Sequence, residues 1–354
     1  MKKVLIVNQG LSANIGDKAI LLALTKYFGS RGYQVSIQGF THYYETKIDD
    51  IDYKQYRQTR KFDLPILLKW NLKAKTNLEK KLSEITDKYD LLIIGGGQLI
   101  KSRCYFPFAL EKWINTGRSI AKNIFLVGVG LDPSFTMLEK RKIKNSLKLV
   151  DGIFVRDSRS RIRLKKIFDF DSELIPDVAF ILKKYIKFAN YTRSGTVIMP
   201  FDYYTYRYHF KNKKSRTEYD AYWIDMIKEH AAANEDIKLM YTTIEDKREC
   251  FRIFDLLPKY LQDVVTIVEV NTVEEIVFEF LKTKNIYSAR MHALILGLVA
   301  GTTVHSINFS DKLEAFEKEF ILSSENADDY ADKVIGLLDS LLNKKMGEQI
   351  NEIS

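Results

Sequence analysis
Cysteine is almost missing from this chain: Cys104 and Cys250 are the only two in 354 residues. They lie far apart without metal-ligand spacing, which argues against a disulfide framework and leaves two free thiols of a reducing compartment. Proline and glycine are sparse as well, six and 17, so collagen-like or low-complexity architecture is excluded. No long hydrophobic run occurs. The longest follows His292 and is broken by Gly and Thr after about a dozen residues, short of the roughly 20 that a bilayer crossing requires. The start, Met-Lys-Lys-Val-Leu-Ile-Val-Asn, turns polar after Val7 and reads as a first β-strand rather than a secretion signal. Together these absences point to the cytoplasm. The motif inventory is equally short, with no H-E-x-x-H, no P-loop, no G-x-S-x-G and no dinucleotide-binding G-x-G-x-x-G. No cofactor and no metal are therefore expected. Without an arginine-rich arm or RNA-binding signature, no nucleic-acid partner is expected either.

What the chain does have is a positive balance, +9 at neutral pH, with an isoelectric point near 9.1. Such a surplus suits nucleic acid, an anionic membrane or an acidic substrate, and equally a generic basic surface. The lysines lie scattered along predicted helices. The length exceeds what one core usually serves, so two domains are expected. Apolar runs and helical periodicities alternate almost throughout. Val4–Asn8, Gln34–Gly39, Leu91–Ile94, Ile124–Val129 and Ile153–Val155 read as strands; helices read over 17–29, about 74–88, 107–121 and 136–148, with another opening at Asp157. Continuous rather than alternating apolar strands mean sheets covered on both faces, hence parallel α/β. The pattern pauses over 183–195. It restarts with strands at Thr196–Met199, Ile237–Tyr241, Val264–Val268 and Asn285–Ser288, and helices near 217–233, 245–257 and 272–283. The expectation is two Rossmann-like domains facing across a cleft, 1–185 and 190–325, with a helical tail over 326–354 packing back on the first.

Residues 286–313 carry the sharpest signal. A short strand ends at Ser288, Arg290 and His292 follow where a hydrophobic helix begins, and after a second strand Ser310-Asp311-Lys312 opens the next helix. Both strand ends belong on one edge of a parallel sheet, so two cations and an imidazole meet at helix starts, a natural place to hold an anion. A lone His beside an apolar helix is more often a core residue. An ordinary imidazole, however, titrates at about 6.5 and makes a usable general acid beside a bound anion.

Other junctions are weaker. In Asn14-Ile15-Gly16-Asp17, Gly16 suits a tight turn near a ligand and Asp17 a helix cap. Gly95-Gly96-Gly97 closes a buried strand; bare amides there can approach a phosphate or sugar, the alternative being close strand–helix packing, and Gln98 can contact a sugar hydroxyl. In Val155-Arg156-Asp157-Ser158, Asp157 or Ser158 caps a helix. Arg156 then points from the strand end into the cleft, where its fork suits carboxylate or phosphate, unless it forms a surface pair. Tyr203, Tyr204 and Tyr206 belong to an aromatic run over 202–210 that can stack on sugar rings or form a loop patch. Asp50-Ile51-Asp52 matches the D-x-D of metal-dependent glycosyltransferases, too short a match to carry a metal.

Taken in order, N-x-G-D at Asn14–Asp17, G-G-G at Gly95–Gly97, V-R-D-S at Val155–Ser158, P-D-V-A-F at Pro176–Phe180, R-M-H-A-L-I at Arg290–Ile295 and F-S-D-K at Phe309–Lys312 resemble the polysaccharide pyruvyl transferase family. The resemblance covers about 1–320. It implies a GT-B-like fold, phosphoenolpyruvate as co-substrate, and a saccharide acceptor, often lipid-linked, in capsule, exopolysaccharide or cell-wall polymer synthesis. It further implies His292 as the acid that protonates the methylene carbon, with Arg156, Arg290, Lys312 and Ser310 holding phosphoenolpyruvate. The first domain would then serve the acceptor and contribute Arg156, and the second would serve phosphoenolpyruvate. Peripheral contact with the inner membrane face follows if the acceptor is lipid-linked. Two readings stand beside it: a GT-B glycosyltransferase using a nucleotide sugar, and a non-catalytic glycan- or anion-binding protein of polysaccharide assembly. Oligomeric state is not encoded in any of these features.

Overall fold
A computed structural model describes residues 1–41, 64–187, 191–209, 214–233 and 235–351. The Asp50-Ile51-Asp52 match lies outside the described residues. The chain divides into two compact units: Met1–Ser12 with Ile20–Val178, and Ala13–Ala19 with Ala179–Ser354.

In unit 1, strands β1 (Lys3–Asn8), β2 (Gln34–Gly39), β3 (Tyr89–Ile100), β4 (Ala121–Leu131), β5 (Gly152–Val155) and β6 (Glu173–Leu174) pair in parallel in the order β2-β1-β3-β4-β5-β6. The run Val4–Val7 is wholly buried, as a parallel strand with both faces covered requires. The intervening helices are α1 (Ile15–Ser30, whose first residues group with unit 2), α2 (Leu64–Ser83), α3 (Phe106–Ile120), α4 (Met137–Leu147) and α5 (Ser158–Phe168). Strand β3 does not stop before the three glycines. It runs through them to Ile100, with a shift of register against β4 between Gly97 and Ile100. Trp113 of α3 is fully buried and its indole N–H donates to the Phe40 carbonyl at 3.0 Å.

Unit 2 repeats the plan. After α6 (Leu182–Tyr185) come β7 (Ser194–Met199), α7 (Tyr203–His209), α8 (Arg216–Ala232), β8 (Ile237–Leu239), α9 (Ile244–Asp255), α10 (Lys259–Gln262), β9 (Val265–Ile267), α11 (Val273–Lys282), β10 (Thr283–Ser288), α12 (Met291–Ala300), β11 (Thr303–Ser306), α13 (Asp311–Phe316) and α14 (Ala327–Asn351). The five strands are parallel in the order β11-β10-β7-β8-β9. Capping boxes start α8 (Ser215 with Glu218) and α11 (Thr272 with Glu275), each satisfying two otherwise orphaned amides. The tail helix α14 packs inside unit 2: Lys184 pairs with Asp328 and Asp332 at 3.0 Å each, and Tyr330 lies 4.9 Å from Phe180. Residues 179–185, at the end of the first half by sequence, group with unit 2, and the tail packs on them. Among the described residues, no helix is long and apolar enough to cross a membrane.

Each sheet has a switch point where strand order reverses, between β1 and β3 in unit 1 and between β7 and β10 in unit 2. The carboxyl ends of strands at such points are the usual ligand positions of α/β sheets.

Candidate functional site
In unit 2 the switch-point strand β10 leads directly into α12, whose later turns are almost entirely buried while its first turn is half-buried. Gly301 ends the helix at φ 73, a left-handed cap that a glycine adopts without strain. Arg290 occupies the N-cap position, and its amide donates to Ser288 Oγ at 3.0 Å. Its guanidinium lies 4.1 Å over the Phe201 ring. It grips Asp246 fork to fork, Nε to Oδ2 at 2.7 Å and Nη2 to Oδ1 at 2.8 Å. Asp246 is 2% exposed, in the first turn of α9, and its Oδ1 also accepts the Asp202 amide at 2.9 Å. Burial works against the Arg290 charge, but Asp246 outweighs it and raises the pKa further above its ordinary value. The sequence presents Arg290 as a plain cation. In the fold its charge is balanced locally, and the Asp246 clamp holds its guanidinium in a fixed direction.

His292, second residue of α12, is half-buried. Gly16 lies against its ring so closely that a Cβ on Gly16 would fall 2.5 Å from Nδ1. The segment bearing Gly16 is tied to unit 2 by the Ile15 amide to the Thr242 carbonyl at 3.0 Å and by Lys18 Nζ to the Asn271 carbonyl at 2.9 Å. The cap of α1 is Asn14: its side chain accepts the Gly16 amide at 2.9 Å and its carbonyl the Lys18 amide at 3.1 Å. Asp17, the cap expected from sequence, lies instead in the first turn, where its charge suits the helix dipole.

Strands β10 and β11 are neighbours in register, with Ser288 beside Ser306. The segments carrying Arg290, His292 and Lys312 therefore leave one sheet edge together. Lys312 is exposed, and Ser310 uses its hydroxyl as the N-cap of α13, accepting the Leu313 amide at 3.3 Å. Phe309 anchors this loop in a nest of rings, 4.9 Å from Tyr206, 5.7 Å from Tyr222 and 5.9 Å from Tyr219. Of the tyrosines singled out in the sequence, Tyr206 is 2% exposed and accepts the Lys214 amide at 2.9 Å, so its surface goes to packing rather than to a sugar. Tyr203 is half-buried beneath Arg216, and Tyr204 stands 63% exposed.

Sequence reasoning missed Asp246, Phe201 and the buried Glu249, which accepts hydrogen bonds from Arg216 at 3.1 Å and Arg252 at 2.7 Å. Burial first, then the neighbouring Asp202 and Asp220 against the pull of Arg216, push the Glu249 carboxyl up to about 7. The one sequence signal was Thr243-x-x-Asp246, which marks a helix start but not its partner.

In unit 1, Arg156 at the end of β5 is nearly fully buried. Nη1 lies 3.4 Å from Asp177 Oδ2, Nη2 donates to Gln98 Oε1 at 3.3 Å, and Nε, 3.9 Å from Asp157, has no hydrogen-bond partner among the described residues. Gln98 in turn donates to Asp132 at 3.0 Å, and Asp157 caps α5 as expected. Arg156 and Gln98 thus belong to one partly buried polar cluster at the carboxyl ends of the sheet. Gly130 makes room for it, since a Cβ there would fall 2.8 Å from Gln98 Oε1 and 3.2 Å from Arg156 Nε. At Gly95 and Gly96 a Cβ would meet Leu24 at 3.0 Å and Ile20 at 2.0 Å, both on α1, so close strand–helix packing uses the missing side chains here. Gly96 and Gly97 have φ of 73 and 85, open to glycine without strain.

Among solved structures, the chain is similar to Staphylococcus aureus MnaA in complex with UDP (TM-score 0.52, 14% identity, 94% of this chain and 91% of that one). It is also similar to UDP-GlcNAc 2-epimerase from Neisseria meningitidis bound to UDP-GlcNAc (0.53, 12%, 97% and 100%) and to that from Methanocaldococcus jannaschii with UDP-GlcNAc and UDP (0.54, 12%, 96% and 100%). At such identities the likeness speaks for the fold, two parallel Rossmann-like sheets of GT-B type. No curated protein sequence matches the chain. The family model "Polysaccharide pyruvyl transferase", however, matches residues 14–311, from the Asn14 cap to the first turn of α13. The chain belongs to the polysaccharide pyruvyl transferase family.

Proposed function
We propose that this protein transfers the pyruvyl group of phosphoenolpyruvate to a sugar of a surface-polysaccharide precursor, forming a pyruvate ketal and releasing phosphate. The observation that carries this reading is Arg290-x-His292 at the switch point of unit 2, in a chain whose family match spans both units. In the proposed mechanism His292 gives a proton to the methylene carbon, which becomes the ketal methyl group, a role worth about 10²–10⁴ in rate. A sugar hydroxyl adds to the electron-poor C2 left behind. The C2–O bond to phosphate then breaks, and a second hydroxyl of the same sugar closes the ketal. Of the two protons lost by the hydroxyls, one restores His292 and the other leaves with phosphate.

Arg290 and Lys312 are assigned to the carboxylate and phosphate of phosphoenolpyruvate. Arg156 is proposed as a further anion ligand, tested separately by Arg156→Lys, which keeps the charge and loses the fork. Exposed Tyr204 is the aromatic candidate for acceptor contact. The acceptor itself is proposed to be a lipid-linked saccharide met at the cytoplasmic membrane face.

The test is incubation with phosphoenolpyruvate and a panel of lipid-linked and synthetic glycosides, reading phosphate release and the mass gain of a pyruvate ketal for wild type and His292→Ala. Acceptor-dependent release that collapses in the variant is the expected result. Protection against thermal unfolding by nucleotide sugars but not by phosphoenolpyruvate would overturn the reading in favour of glycosyl transfer.

A further inference from the structure
The chain's net charge is +9, yet the 32 residues from Met137 to Phe168 alone hold eleven Lys and Arg against three Asp and Glu, a surplus of eight. These charges look scattered in sequence but converge in space. Helices α4 and α5 follow neighbouring parallel strands, β4-α4-β5-α5-β6, and successive right-handed crossovers in one direction place both helices on the same face of the unit 1 sheet. They pack side by side there.

On α4, Ile143, Ser146 and Leu147 turn inward. Met137, Arg141, Lys144 and Lys148 then form one exposed line along the outer face, with Leu138 beside it. On α5, Ser160, Leu164 and Phe168 turn inward. The helix periodicity sets Ile162 at the centre of the outer face, flanked by Arg159, Arg161, Lys165 and Lys166, all exposed. The three aliphatic side chains on this basic face are thrust into water: Met137 is 86% exposed, Leu138 74% and Ile162 65%.

Neither feature serves the fold. Arg159 and Arg161 stand in the first turn of α5, where the helix dipole disfavours cations, and the acidic group at that end, the N-cap Asp157, is engaged by the Ser160 amide and hydroxyl. Among the described residues, Lys165 is the member of this outer face that pairs with carboxylates, Asp169 at 3.3 Å and Asp171 at 3.2 Å, while Lys142, elsewhere on α4, pairs with Glu111 at 2.9 Å. Glu139 is turned aside to accept the Thr136 and Arg103 amides.

We propose that the outer face of α4 and α5 docks on an anionic lipid bilayer, the basic residues facing headgroups and Met137, Leu138 and Ile162 entering the interface. Clustered Lys and Arg supply the charge complementarity, and aliphatic side chains gain from acyl chains what a phosphodiester backbone cannot give them. Among the described residues, the face carries no exposed aromatic ring on which a base could stack. This inference stands apart from the transfer reaction, because docking is read without substrate and either can fail alone.

The test is flotation of the full chain with phosphatidylcholine vesicles, with and without phosphatidylglycerol, at low and moderate salt. Binding is expected only with phosphatidylglycerol, and weaker as salt rises. Arg159→Glu/Arg161→Glu should lower partitioning at least about tenfold, and Met137→Asp/Leu138→Asp should abolish most of it at unchanged net basic surface on α5. The control Lys228→Glu/Lys259→Glu, the same charge change on exposed helices of unit 2, should leave binding within about twofold. An equal loss in the control would reduce the effect to net charge and overturn the proposal. So would absence of binding to phosphatidylglycerol vesicles, or single-stranded oligonucleotide binding that tolerates Met137→Asp/Leu138→Asp.

Discussion

Replacing Gly16 by alanine adds one methyl group at the point where α1 begins and should disable a residue near the other end of the chain. The new Cβ would fall 2.5 Å from His292 Nδ1, 2.7 Å from Cγ and 2.8 Å from Cβ. Ordinary carbon contacts begin about 1 Å further out, so either the imidazole or the 13–19 segment must move by about that much. The segment is held by Ile15 to the Thr242 carbonyl, Lys18 to the Asn271 carbonyl and the Asn14 cap. The ring hangs on the half-buried first turn of α12 and has the lower resistance. A displacement of about 1 Å in a proton-transferring group costs about 10²-fold in rate, or roughly 2.7 kcal/mol on the barrier. The assay is phosphate release from phosphoenolpyruvate with a productive acceptor glycoside, kcat and KM measured separately, alongside the unfolding midpoint. The expected pattern is a kcat about 10²-fold lower with a change in Tm of only a few degrees. Activity within about twofold of wild type would refute the argument that His292 in its observed position is the acid.

Three further outcomes follow from the same geometry. Asp246→Asn, nearly isosteric, removes the charge-assisted half of the Arg290 clamp and should lower kcat/KM for phosphoenolpyruvate at least about tenfold, about 1.4 kcal/mol; unchanged kinetics would make the pair purely structural. Glu249 has a folded pKa of about 7 against an ordinary 4.5, so between those values the native state binds more protons than the unfolded chain. Stability should therefore fall as pH rises through that window, and Glu249→Gln should flatten the slope and stabilise the protein above it by up to about 3 kcal/mol, read from denaturant melts at several pH values. Gly96→Ala, at φ 73 with its Cβ 2.0 Å from Ile20 Cγ2, should destabilise by about 2–4 kcal/mol in urea unfolding. A loss below about 1 kcal/mol would show that α1 can yield there.

The strands were legible because burial on both faces leaves a plain signature. Val4–Val7 and Leu92–Ile94 can be nothing but apolar where both sides of a sheet are covered. The Arg290-x-His292 junction was legible for a related reason, since polar residues between a buried strand and a buried helix need an explanation. What the sequence hid is partnership. Asp246 is 44 positions from Arg290 and reads only as part of a helix start, because nothing in a one-dimensional string tells a capping carboxylate from one that holds a guanidinium. Tyr203, Tyr204 and Tyr206 look equivalent in sequence, yet helical spacing turns Tyr206 into the ring nest and Tyr204 out to solvent. The triple glycine was ambiguous for the same reason, because the obstacles at Gly95 and Gly96, Leu24 and Ile20, lie on another element.

Ala13–Ala19 leaves unit 1 after β1, joins unit 2, and returns at Ile20, so the chain passes from one unit to the other at three peptide links rather than one. The two halves are consequently not interchangeable cassettes. A single recombination event after Val178 would hand the incoming second half a foreign turn beneath its histidine. Gly16 and His292, 276 positions apart in sequence, form a matched pair in space, and chimaeras between relatives should work only when residues 13–19 travel with the second half.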